Sequence, residues 1–259
     1  MVGAIVGALL IGLSLGLLGS GGSILTVPIL AYVIGRPDKN AIVESLAIVG
    51  GIAAVGAVQY AMAKTVAWRV LALFAPMSIL GTIAGAWLAS FVAGSVQLLV
   101  FGGVMMGAAV AMWKRARAVA PTEVEAPPNA HPKVLPLAIQ GSVVGIMTGF
   151  VGVGGGFLIV PALVLLAKLD MRHAVGTSLA LITINSASAF LSYQSHPAQL
   201  IEPIDWKTIG LFLLIGTVGS FAGRHLNSRV NQRALKSGFA VFLVIMAIVI
   251  VSRELLLLY

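Results

Sequence analysis

A chain of 259 residues that is 59% hydrophobic and only 9% charged, with mean hydropathy +1.05, is not an ordinary soluble domain, where about a quarter of residues carry charge. The composition demands an integral membrane protein. Its formal charge of +8, from 16 basic and 8 acidic residues, reads as membrane topology and not as nucleic-acid binding, and the lack of cysteine excludes a disulfide framework, a thiolate metal site and a cysteine nucleophile.

The first apolar segment runs from Val2 to Leu18. At 1.5 Å per residue it reaches about 25 Å, short of a comfortable span. It has no basic residues ahead of its apolar run, and a counterpart returns at Val134–Val151, so it is read as structure and not as a cleaved signal. A glycine-rich stretch, Gly19 to Pro28, then interrupts the apolar run, and the same pattern returns from Gly152 to Pro161. Gly19, Gly21, Gly22, Leu25, Val27 and Pro28 all recur 133 positions later. Clustered glycines let other groups approach the backbone closely, and Pro28 and Pro161 suit the first turn of a helix. Each stretch is therefore read as a non-helical crossover feeding the N-terminus of a short helix, where free N–H groups and a positive dipole end favour an anion. The plainer reading is a packing break without a ligand, but paired broken segments are the pointer to a transporter site.

A shorter apolar piece ends near Ile34, and Gly35 to Asn40 forms a polar turn with Asn40 as the expected N-cap. Long segments follow at Ala41–Met62, Trp68–Val92 and Val96–Trp113. Residues 114–133 are the one long polar stretch, with Pro121, Pro127, Pro128 and Pro132, and read as a linker outside the bilayer. The second half repeats the order, with apolar pieces at 134–151, 157–167, 173–194, 206–226 and 236–251. The predicted domains are thus a first transmembrane repeat at 1–113, the linker at 114–133 and a second repeat at 134–259.

The repetition goes beyond glycine. At the same offset Ala41, Ser45, Leu46, Ala47 and Tyr60 match Ala174, Ser178, Leu179, Ala180 and Tyr193. After extra residues around Ser195–Pro203 the offset becomes 138, and Trp68, Phe74, Gly81, Gly85 and Ser90 match Trp206, Phe212, Gly219, Gly223 and Ser228. Charge sets the relative orientation of the halves. If the two pieces around each glycine stretch enter and leave on one side, 12 of the 16 basic residues collect on one face and 4 (Arg36, Lys39, Lys207 and Arg253) on the other. If they form one broken span, the count is 8 against 8. The positive-inside rule selects the first arrangement: inverted halves, cytoplasmic linker, both termini outside. The fold expected is all-α, a polytopic membrane bundle of two inverted repeats. Each begins with a Gly-broken helix pair, re-entrant or short-spanning, followed by three long transmembrane helices.

Candidate binding groups begin with the backbone around Gly21, Gly22 and Ser23 and around Gly154, Gly155 and Gly156, since bare amides in hydrocarbon must face protein, water or ligand. Ser45 and Ser178 match each other, and Thr177, Asn185, Ser188 and Ser192 share one face of an apolar helix. That face reads as a lined cavity or as interhelical hydrogen bonding. Asn185 stands out because an amide donates to an anion oxygen. Glu44, matched by Thr177, is a carboxylate near membrane depth, read either as a proton- or sodium-coupling group or as a first-turn acid favoured by the helix dipole. Arg224 reads as snorkelling to the interface or as a cytoplasmic gate for anions. The histidines lack metal-ligand spacing and no metal is expected. Trp68, Trp206 and Tyr259 read as interface anchors. No Walker sequence, nucleophile elbow or zincin motif is present, so the chain is not read as an enzyme. Ser20 or Ser23 as a nucleophile is the minor alternative.

The doubled Gly-x-Gly-Gly-x-x-x-x-x-Pro, followed by Ser45-Leu46-Ala47 and by Ser178-Leu179-Ala180, resembles the TauE/SafE family of sulfite exporter-like membrane proteins over nearly the whole chain. The resemblance implies a cytoplasmic-membrane transporter for small sulfur-containing anions such as sulfite, sulfoacetate or other organosulfonates. On that reading transport is secondary, by alternating access, with the anion near the midplane between the repeats. An anion channel, or a transporter of another small anion, is the alternative, and a structural or chaperone-like subunit is a further one. The partners expected are the small anionic substrate and the lipid bilayer, with no nucleic acid, no cofactor beyond a coupling H+ or Na+, and homo-oligomerisation left open.

Overall fold

The computed structural model describes residues 2–118, 134–151, 156–165, 167–194 and 201–258. Its helices are α1 (Val2–Leu18), α2 (Gly21–Pro28), α3 (Asp38–Met62), α4 (Trp68–Ala89), α5 (Gly94–Ala118), α6 (Val134–Val151), α7 (Gly156–Leu165), α8 (Met171–Gln194), α9 (Trp206–Arg229) and α10 (Gln232–Leu258). No strand occurs among the described residues. Five helices, Asp38–Met62, Trp68–Ala89, Gly94–Ala111, Met171–Gln194 and Trp206–Arg229, are long and apolar enough to cross a membrane. Helix α5 continues to Ala118, past the expected start of the linker, and 119–133 lie outside the described residues. Trp68 and Trp206, at the starts of α4 and α9, are exposed, and Tyr259 lies outside the described residues.

The glycine stretch is shorter and more helical than expected. Gly19 turns the chain at φ 74°, Ser20 follows, and α2 begins at Gly21. Pro28 is the last residue of α2, not a first-turn residue, and Pro161 lies inside α7. A proline there offers no N–H to the preceding turn, and after Pro28 the helix widens into a π-helical segment, Ile29–Ile34. Gly35, at φ 81°, ends it in the left-handed conformation. Asn40 is not the N-cap: α3 starts at Asp38 behind Pro37. α2 and the π-helical segment fold back along α1, since a Cβ on Gly3 would meet Val33, one on Gly7 would meet Ile29, and one on Gly22 would meet Leu15.

The halves share backbone detail as well as sequence. Lys168, 133 residues after Gly35, also has positive φ, 55°. Arg36 N–H donates to Leu30 O at 3.0 Å, and Leu169 N–H to Leu163 O at 3.1 Å. Tyr60 Oη donates to Gly16 O at 2.8 Å, and Tyr193 Oη to Gly149 O at 3.1 Å.

The halves interlock. α1 packs on α9, and α6 packs on α4, so each half lends its first helix to the other half's fourth helix. Small residues four apart make these seams. Gly12 and Gly16 lie against the backbone of Gly216 and Ser220. Gly141, Gly145 and Gly149 lie against the carbonyls of Phe74, Ser78 and Thr82. Residue numbers rise together along both seams, so the paired helices run parallel. α3 packs on α8 at the centre, with Gly50 beside Ser186 and Gly56 beside Leu179, so these two run antiparallel.

The bundle therefore has two ends. At the Arg36 end, the starts of α3 and α9 meet, since Asn40 Nδ2 donates to Glu202 O at 2.6 Å. At the Arg224 end, Arg172 at the start of α8 donates to Ser228 O at 3.0 Å near the end of α9, and Ala67 N–H before α4 donates to Thr177 Oγ1 at 2.9 Å. α9 starts behind Asp205, whose carboxylate accepts Lys207 N–H at 3.0 Å and Thr208 N–H at 3.1 Å, an N-cap of the usual kind.

Candidate functional site

At the Arg224 end, α3 and α9 part to leave a cavity of about 310 Å³ lined by Gln59, Phe221, Arg224, His225 and Ser228. Ser220, Arg224 and Ser228 repeat every four residues and so share one stripe of α9. The Arg224 guanidinium lies 5.7 Å from the centre of the Tyr60 ring, a cation–π arrangement. Gln59 is 5% exposed, and among the described residues neither its Nε2 nor its Oε1 has a hydrogen-bond partner. Deeper, Ser220 Oγ is buried, without a partner among the described residues, and 3.5 Å from a Cβ placed on Gly56. Still deeper, Asn185 Nδ2 donates to Ser78 Oγ at 2.6 Å, while Asn185 Oδ1 and Ser186 Oγ have no partner among the described residues. Ser186 packs against Gly50 of α3. Unpaired polar groups thus descend from the Arg224 end to mid-bundle, between helices of both halves.

The Arg36 end is closed by charge. Glu44, 0% exposed, accepts from Arg36 Nη2 at 2.5 Å and Nε at 3.2 Å, and from Asp205 N–H at 2.9 Å. Arg36 also pairs with Glu202 and donates to Pro203 O at 2.8 Å. The Glu44 hydrogen bond pushes the Arg36 pKa up, against the opposing effect of burial. Asn40 Oδ1 accepts Ile201 N–H at 3.1 Å and Glu202 N–H at 3.3 Å. Thr177, the counterpart of Glu44, does the same work at the other end with a hydroxyl, since Ala67 is the counterpart of Asp205. Both residues pin the start of the opposite half's fourth helix.

The residues singled out from sequence do not form one site. Gly21, Gly22 and Ser23 are buried in the first turn of α2, where Gly21 and Gly22 serve close packing on Ser14 and Leu15. Ser23 Oγ donates to Ser20 O at 2.7 Å within its own turn. Ser20 makes no capping bond, and its Oγ is buried and unpartnered among the described residues, so the first amides of α2 gain no side-chain acceptor from it. Ser178 Oγ donates to Val175 O at 2.8 Å and to Gly19 O at 3.1 Å, which puts the first crossover one to two turns inside the Arg224 end and not at mid-depth. Asn185 stands two turns farther along α8. Ser45 Oγ donates to Ile42 O at 2.7 Å near the Arg36 end. Gly56, level with Leu179, lies eleven residues past Ser45, so about 16 Å along the bundle separates Ser45 from Ser178. Antiparallel packing of α3 on α8 sends matched residues to opposite ends. Gly154 and Gly155 lie outside the described residues, and Gly156 begins α7. Ser188 is half-buried and donates to Ile184 O at 2.9 Å.

Sequence reasoning missed Gln59, Ser78, Ser220 and the Arg36 network. The signal for Gln59 and Arg224 was their lack of matched partners: the repeat offsets set Ser192 against Gln59 and Ala86 against Arg224.

A "Probable membrane transporter protein" of Xylella fastidiosa (strain 9a5c) is 33% identical over 252 residues, covering 95% of this chain and 92% of the relative. Another so described, from Methanocaldococcus jannaschii, is 25% identical over 236 residues, covering 87% and 85%. No solved structure matches the chain. The family model for the sulfite exporter TauE/SafE matches residues 4–250. An all-helical, multi-pass chain matched over nearly its whole length, it belongs to the sulfite exporter TauE/SafE family of membrane transporters.

Proposed function

We propose that this chain is a secondary transporter of small sulfur-containing anions (sulfite, sulfoacetate or a related organosulfonate) working by alternating access between two inverted repeats, 1–113 and 134–259. The observation that carries this reading is a line of buried donors that no described residue meets, the Gln59 amide and the Ser220 and Ser186 hydroxyls, with the acceptor Asn185 Oδ1 unpaired beside them. Inside a lipid bilayer each such atom costs several kcal/mol unless something meets it. The antiparallel pairing of α3 with α8 supports inversion. A cavity at the Arg224 end and ion pairs at the Arg36 end support two gates used in turn. The Arg224 end, where Lys64, Arg69, Lys168, Arg172, Arg224 and Arg229 gather, is the cytoplasmic side by the positive-inside rule. The linker is then cytoplasmic and both termini lie outside, in the cytoplasmic membrane. The anion passes from that side to Asn185 and Ser78 at mid-depth, with the uncapped first turn of α2 (Gly21, Gly22 and Ser23) and Ser178 near its path. Ser45 and the second crossover (Gly154, Gly155 and Gly156) serve the opposite side. Thr177 holds the α4 start in place. Coupling runs through Glu44, which exchanges Arg36 for a proton or sodium ion.

Purified protein in liposomes tests this. Sulfoacetate or sulfite flux is expected to saturate, to show counterflow and to respond to an imposed ion gradient, and Glu44→Gln is expected to remove the gradient response. Flux that is linear in concentration with no counterflow fits a channel and contradicts alternating access. An unchanged gradient response in Glu44→Gln removes the coupling role.

A further inference from the structure

We infer that the cavity between α3 and α9 is a capture site for a small oxyanion, with Arg224 supplying the charge and Gln59 the orienting hydrogen bond. The inference rests on the transport reading above and gives it an entry point. Three independent observations meet here. A space of about 310 Å³ accommodates a sulfonate or sulfite with some of its water. No carboxylate is among the described residues that line it, so the Arg224 guanidinium has its charge to offer, and its position over Tyr60 holds the fork in place. Gln59 is buried in the wall with its amide unpaired. A buried amide nitrogen that no described residue meets, in a wall shared with a cation, is a donor waiting for an acceptor oxygen.

The repeat sharpens the argument. The fold places an equivalent α8–α4 junction at the Arg36 end, but its matching residues are Ser192 and Ala86, and Ala86 is buried at 4% exposure. The architecture therefore does not require an arginine or a glutamine there. Their presence in one copy alone marks a task belonging to one side. Arg172, which donates to Ser228 O at the rim, adds a second cation at the mouth. His225 is exposed on the same rim. The chemistry recognised is a compact, singly or doubly charged oxyanion head. A free sulfonate and an anionic lipid headgroup share it, and a cavity of this size favours the free ion.

Isothermal titration of sulfoacetate into the full chain in phosphatidylcholine nanodiscs tests the inference, with Arg224→Gln, Gln59→Leu and Gln59→Glu beside the unsubstituted protein. Arg224→Gln is expected to weaken binding about tenfold or more, and Gln59→Leu about tenfold, as loss of a hydrogen bond to a charged group requires. Gln59→Glu is expected to weaken binding at least as much while leaving the thermal midpoint unchanged or raised, because the new carboxylate pairs with Arg224. A merely structural role for Gln59 does not give that split. Variants that bind like the unsubstituted protein overturn the capture site and leave the transport reading standing. An unsubstituted protein that binds neither sulfoacetate nor sulfite overturns the substrate class itself. If phosphatidylglycerol in the nanodisc blocks sulfoacetate and flux is unaffected, the cavity is a lipid headgroup site and the inference falls.

Discussion

Gly12→Val is expected to abolish the folded protein. A Cβ on Gly12 runs into the carbonyl of Gly216, with further backbone atoms of that residue close behind. Neither helix can yield, because α1 is pressed onto α9 along the whole seam, through Gly16 and Gly219 as well. Overpacking against backbone costs about 3 kcal/mol or more, a large share of a marginal total. Gly149→Val, whose Cβ runs into Thr82 O on the pseudo-equivalent α4–α6 seam, is expected to do the same. Gly107→Ala is the control: no atom of the described residues lies within 4 Å of a Cβ there, and the change is expected to be neutral or mildly stabilising. Size-exclusion profiles and thermal midpoints in detergent read all three. A monodisperse Gly12→Val protein with an unchanged midpoint contradicts the seam.

Arg36→Gln is expected to destabilise the protein by about 3–5 kcal/mol, the usual cost of leaving one member of a buried ion pair alone. Glu44 is wholly buried and keeps only the Asp205 N–H as a described donor once Arg36 is gone. Arg36 also ties Glu202 and Pro203 O, so its loss frees the segment that leads into α9. The double variant Arg36→Met with Glu44→Leu is expected to recover most of the lost stability, since replacing both members of a buried pair by apolar groups is often near neutral. In flux measurements the double variant is expected to leak, because the Arg36 end no longer latches. Additive losses in the double-mutant cycle contradict a coupled pair.

The helices were legible because lipid leaves the chain few options: every backbone group must be paired within a segment, so apolar runs mark helices. Val2–Leu18 and Val134–Val151 were read to the residue. The repeat was legible through Pro, Ser, Tyr and Trp, and the matched bonds of Tyr60 with Gly16 and Tyr193 with Gly149 are its structural echo. The site was less legible, for two reasons. Pattern alone places matched residues together, whereas antiparallel packing carries Ser45 and Ser178 to opposite ends. Pattern also favours what recurs, whereas Gln59 and Arg224 are informative because they do not. Pro28 misled because proline usually opens helices; here it closes α2, and a π-helical segment follows it. Glu44 was recognised as a buried acid, but its partner Arg36 sat in what reads as a solvated turn.

On the proposed function, matched parts of the two halves face opposite sides of the membrane. Ser90 and Ser228 are repeat-matched, and each hydroxyl donates to the carbonyl three residues before it, Trp87 O at 2.6 Å and His225 O at 2.7 Å. The chain has no cysteine of its own, so Ser90→Cys and Ser228→Cys each carry a single reactive thiol. Labelling in intact cells and in inside-out vesicles with a membrane-impermeant maleimide reads their sides directly. The account predicts that Ser90→Cys reacts from outside and Ser228→Cys from the cytoplasmic side. Labelling of both from the same side contradicts it.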